Sequence, residues 1–119
     1  MKPLQAITRH NLLLLAAVVE LGTGLALLLG PGLVSHWLLG IAGTDLTNLF
    51  ARFFGVALLA LGIACWPATT STAAIRAMLV YNGAIALYLA YVGLFISSGV
   101  LLWPAVLFHA VMTALLFRR

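Results

Sequence analysis

Apolar residues fill four long stretches of the chain, and the polar residues between them come in short clusters. The first stretch, residues 11–30, reads NLLLLAAVVELGTGLALLLG and runs into Pro31-Gly32. A helical run of about twenty apolar residues matches the hydrocarbon thickness of a bilayer, and a Pro-Gly pair ends such a helix. Residues 46–66, 73–96 and 100–117 form three more stretches of similar character. The pattern predicts four helices, with Thr44 or Asp45 capping the second and Ser71 or Thr72 the third. Pro67 closes the second, Ser97-Ser98-Gly99 makes a turn, and Pro104 falls in the first turn of the fourth, where a missing N–H does little harm. The segment GLVSHWLLGIAG, residues 32–43, is too short to cross. Its Leu33, Val34, Trp37 and Leu38 recur at helical spacing, which predicts a short interfacial helix between the first two spans. The expected fold is all-α: one integral membrane domain over residues 1–119, a four-helix bundle running up-down-up-down.

Composition sharpens this. Of 119 residues, 65% are hydrophobic and 7% charged, whereas a soluble domain carries about a quarter charged residues to coat its surface. A lipid bilayer is therefore the expected surroundings. The formal charge of +4 would suit a nucleic-acid partner, but the cations sit at the ends of apolar runs, so no nucleic acid is expected. Lys2, Arg9, Arg76, Arg118 and Arg119 lie at the N-terminus, the second connection or the C-terminus, and the first and third connections hold no Lys or Arg. By the positive-inside rule this places both termini in the cytoplasm. Trp66 then marks the inner interface, and Trp37 and Trp103 the outer one. Lys2 and Arg9 ahead of an apolar run also suit a signal peptide, but the run is too long and other spans follow, so it is expected to be kept as the first helix. With Cys65 as the single cysteine, an intrachain disulfide and a multi-cysteine metal site are ruled out.

The sharpest chemical signal is Glu20, a carboxyl group near the middle of the first apolar run. At mid-bilayer it costs about 3 kcal/mol on insertion scales and must find a partner or a proton. Arg52 lies inside the second run. Counted from the outer interface at about 1.5 Å per residue, Arg52 falls roughly 8 Å deep, Glu20 roughly 15 Å, and Tyr88 and His109 roughly 12 Å. The four therefore predict an intramembrane polar pocket around a Glu20–Arg52 pair, with Asn48, Tyr81, Asn82, Tyr91 and Thr113 as secondary members on the same helices. Plainer readings stand beside this one. The pair can serve only to lock helix packing, His109 can be a hydrogen-bonded packing residue, and the tyrosines can be packing groups whose hydroxyl finds water or a partner. No HExxH, CxxC, GxSxG or phosphate-loop pattern occurs, so neither a catalytic residue nor a metal site is expected.

The segment RFFGVALLALGIACWP, residues 52–67, follows a first helix ELGTGLALLLGPGLV, and together they resemble small bacterial four-helix membrane proteins related to the DoxX-like families. That resemblance spans most of the chain. It implies a four-helix fold in the bacterial inner membrane, a bound quinone as the cofactor to look for rather than haem, and a place beside quinone-linked redox systems. Glu20-Leu21-Gly22-Thr23 also resembles the first helix of the small multidrug resistance transporters, which implies a dimer exchanging protons at Glu20. AIALYLAYVGLF in the third helix lacks that family's Trp-x-Gly motif, and Arg52 opposes cationic substrates. Three roles follow as expectations. The first is a binding or accessory protein for a lipid-like ligand, a quinone or a larger membrane complex. The second is a proton-coupled transporter, and the third an oxidoreductase subunit using Glu20 and His109 for proton transfer. A homo-oligomer is compatible with each.

Overall fold

A computed structural model of the chain describes residues 8–67 and 71–118, and the regular elements among them are all helical. Helix α1 spans Arg9–Leu29, two residues earlier at its start than the apolar run indicates. The reason is Thr8, whose side chain accepts a hydrogen bond from the Asn11 N–H at 3.2 Å and caps the helix. Pro31 has no N–H to continue the ladder, so α1 stops and a short helix α2 (Pro31–Val34) starts with Pro31 in its first turn. Helix α2 passes directly into one π-helical turn, Ser35–Leu39. Gly40 then reverses the chain at φ 72°, a left-handed conformation that favours glycine.

Helix α3 covers Asp45–Ala64 and α4 Thr72–Phe95. Thr44 and Thr47 form a reciprocal capping box at the start of α3, with the Thr44 N–H donating to Thr47 Oγ1 at 2.7 Å. Ser71 caps α4 by accepting from the Ala74 N–H at 3.0 Å. The expected connection ATTSTA lies partly outside the described residues, at 68–70. Helix α5 covers Leu102–Phe117, 16 residues, with Pro104 in its first turn as expected. Three helices, α1, α3 and α4, are long and apolar enough to cross a membrane, whereas α5 is apolar but shorter.

The helices pair through backbone approach. Helix α1 lies along α3 with Gly24 against Gly55 and the Ala17 carbonyl against Gly62; a Cβ on Gly24 would sit 2.7 Å from the Gly55 carbonyl oxygen. Helix α4 lies along α5, where Gly93 makes room for Leu102 and Trp103. Near the chain termini the two pairs share one core, built from Leu12, Leu13, Ala16, Cys65, Ile75, Met78, Met112 and Leu116. At the opposite, distal end they part. There the chain after α4 is tied to the π turn: Gly99 N–H donates to the Leu38 carbonyl at 3.0 Å, Leu101 N–H to the Trp37 carbonyl at 2.9 Å, and the Ser97 hydroxyl to the Leu39 carbonyl at 2.7 Å. These bonds satisfy carbonyls that the end of a helix leaves without intrahelical partners.

Candidate functional site

The gap between the two helix pairs is a cavity of about 1150 Å³ in the distal half of the molecule. Helix α1 contributes Val19, Thr23 and Leu27 to its wall, α3 contributes Phe50 and Phe54, α4 contributes Ile85 and Leu89, and α5 contributes Ala105 and Phe108. The π turn, with Trp37 and Leu38, closes part of the distal side. The walls are therefore almost wholly apolar. Polar side chains lie at both ends: Ser35, Thr47 and Ser97 at the distal end, whose hydroxyls donate to the Pro31, Thr44 and Leu39 carbonyls, and Tyr81 and His109 at the end nearest the shared core.

That polar end is built from three helices. Asn82, buried in the middle of α4, donates from Nδ2 to the Met78 carbonyl at 2.8 Å, one turn back on its own helix. This bond turns its Oδ1 toward α5, where it meets His109 Nδ1 at 2.6 Å. An amide oxygen only accepts, so the hydrogen of this pair belongs to Nδ1, and in the uncharged ring Nε2 is left as an acceptor. His109 is 8% exposed, and its ring meets the Tyr81 ring edge to face, with centroids 5.9 Å apart. Behind Tyr81 lies Glu20, 1% exposed. The Tyr81 hydroxyl is the polar group nearest the Glu20 carboxyl group, and Oε2 is enclosed without a hydrogen-bond partner.

The expected Glu20–Arg52 pair is not formed, a correction that follows from helix register. With Gly24 opposite Gly55, Arg52 lies beside Leu27 and Leu28 on α1. That is eight residues, or roughly 12 Å along the axis, from Glu20. The Arg52 side chain is exposed, and its Nε–H donates to the Leu28 carbonyl at 3.2 Å. A cation there serves the last turn of α1, whose carbonyls carry the negative end of the helix dipole. Depth counting failed because α3 starts beyond the end of α1, so equal counts from the two helix ends are not equal heights.

The other expected residues divide. Tyr88 lines the cavity although it is 64% exposed. Tyr91 turns outward and packs with Tyr88 and Phe95, at centroid separations of 6.1 and 5.3 Å. Thr113 donates to the His109 carbonyl at 2.7 Å, a bond within its own helix, and packs beside Gly83. Asn48 sits at the start of α3, where its Oδ1 is buried, unpartnered and pressed against Gly43. Tyr81 and Asn82, expected only as secondary members, prove central. The available signal was an amide in the middle of an apolar helix, where a polar side chain needs a partner. Among the described residues no cluster of three or more metal-ligating side chains occurs.

No family model, curated protein or solved structure matches the chain.

Proposed function

We propose that the protein is a multi-pass protein of the bacterial inner membrane that binds a lipid-like molecule or a quinone in the cavity between its helix pairs. The observation that carries this reading is the cavity itself: about 1150 Å³, with apolar walls and a polar end at Tyr81 and His109. Ligand sites in helical proteins have this composition, apolar walls with a few placed polar groups. Helices α1, α3 and α4 supply the length for three crossings. Helix α5, about 24 Å long, makes a fourth crossing in a locally thinned bilayer, with Trp103 and Arg118 as interfacial anchors at its two ends. Four crossings with Arg9, Arg76 and Arg118 on one side put both termini in the cytoplasm and open the cavity toward the outer leaflet. Kinship with the DoxX-like families and a role as accessory subunit of a larger membrane complex belong to the same proposal.

The test is extraction. Protein purified in a mild detergent is extracted with organic solvent and the extract analysed by mass spectrometry, beside an Ala105→Phe variant whose added ring occupies the cavity. A stoichiometric amphiphile in the native protein and its loss in the variant are expected. Equal small amounts of bulk lipid from both would remove the binding role.

A further inference from the structure

The polar end of the cavity has a hydrogen-bonding direction, and that direction selects a ligand. Asn82 is held by its bond to the Met78 carbonyl at 2.8 Å, so it cannot turn its amide nitrogen toward His109 without losing that bond. Its oxygen fixes the histidine hydrogen on Nδ1 at 2.6 Å. Nε2 of the uncharged ring is then an acceptor, and among the described residues no side chain or backbone group donates to it. His109 forms part of the cavity lining. Tyr81, the neighbouring polar group, directs its hydroxyl toward Glu20. Thr23 and Tyr88 add hydroxyls that can donate or accept, and the hydroxyls of Ser35, Thr47 and Ser97 at the distal end already donate to backbone carbonyls, so the directional preference comes from His109.

From this arrangement, and resting on the binding role proposed above, we propose that the cavity takes an amphiphile with a hydroxyl head group, which among the ligands named there selects a hydroxyl-bearing lipid or the reduced, quinol form of a quinone. The head lies inward and donates its hydrogen to His109 Nε2, and the apolar body extends along Phe108, Leu89 and Phe54 toward the distal end. A molecule of the same shape whose head can only accept, such as an ether or a ketone, leaves Nε2 without a donor and brings a second acceptor against it. A site built to bond a hydroxyl rejects such an analogue much more strongly than an apolar pocket rejects a change of size.

The matched pair 4-nonylphenol and its methyl ether tests the idea. Each is titrated calorimetrically into the protein in detergent micelles, with heats of micelle partition subtracted through the cavity-filled Ala105→Phe variant. The expected result is saturable binding of the phenol at least tenfold tighter than of the ether, reduced to near parity in His109→Phe. Should that variant fail to fold, nitrogen-15 histidine spectra of the native protein supply the second readout: the phenol shifts the Nε2 resonance of the buried histidine, and the ether leaves it in place. Equal affinity for the two probes in the native protein overturns the hydroxyl preference and leaves the binding role standing. Absence of saturable binding by either probe overturns both.

Discussion

Asn82 on α4 and His109 on α5 are joined through Oδ1 and Nδ1 at 2.6 Å, with both side chains buried. The bond bridges the two helices where polar groups have no water to turn to, so each partner depends on the other. Asn82→Leu leaves the Nδ1–H unpaired, and His109→Phe leaves the amide oxygen unpaired; a group stranded in this way costs about 1–3 kcal/mol. The double variant removes both groups and should lose less than the sum of the single losses. Interhelical polar pairs in membranes show couplings of about 0.6 kcal/mol on average and about 1.7 at most. The short distance and the locked amide place this pair toward the upper value. A double-mutant cycle by detergent unfolding measures it, and strictly additive losses would mean that the bond contributes nothing.

A different kind of contact holds α1 to α3. Gly24 and Gly55 each bring backbone to backbone, and a Cβ on either would stand 2.7 Å from the other's carbonyl oxygen. Gly24→Ala must push the helices apart, at a cost of about 1–3 kcal/mol for overpacking. Gly22 is the internal control, since a Cβ there meets nothing within 4 Å. Gly22→Ala should therefore be neutral or gain up to about 1 kcal/mol from helix propensity. Unfolding midpoints of the two variants compare them directly, and equal stability would remove the close approach as a packing determinant.

Much of this architecture was legible from hydropathy and punctuation. The long apolar runs, the Pro31 break, the caps at Thr44 and Ser71 and the early Pro104 all recur in the structure within a few residues, because each is a local property of backbone and side chain. The polar site was less legible. Depth along a helix can be counted, but the relative height of two helices depends on their register, and Gly24 against Gly55 sets it. That contact moves Arg52 away from Glu20, and Tyr81 on α4 takes the place beside the carboxyl group. Of the cavity lining only Tyr81, Tyr88 and His109 were legible as pocket residues; its apolar walls had no signal in the sequence, since they are the same leucines and phenylalanines that elsewhere on these helices face outward.

The turn after the π-helical segment supplies a test of the distal end. Gly40 has φ 72°, and a Cβ there would stand 2.7 Å from the Ser98 carbonyl oxygen. Gly40→Ala therefore combines a left-handed conformation, unfavourable by about 1–2 kcal/mol for a residue with a Cβ, with a clash at the chain that closes the distal side. Faster hydrogen exchange of the Gly99 and Leu101 amides, which bond to Leu38 and Trp37, is expected. Gly30→Ala, with 3.6 Å to its nearest neighbour and no positive φ, should leave those amides protected. Unchanged exchange in Gly40→Ala would mean that the turn does not hold the two connections together.

Glu20 and Arg52, the charged side chains near the middle of the first two helices, act apart. Arg52 bonds the Leu28 carbonyl from an exposed position, and Glu20 lies buried behind Tyr81. Arg52→Gln removes a cation from the last turn of α1, a loss of about 0.3–1 kcal/mol. Glu20→Gln keeps the shape of the side chain, and its effect passes through Tyr81. Sites separated by roughly 12 Å along the helix with no shared partner should have effects that add within about 0.3–0.5 kcal/mol. The double variant in a detergent-unfolding series decides this. A coupling above about 1 kcal/mol would mean that the carboxylate and the guanidinium sense each other after all, and would return Arg52 to the site.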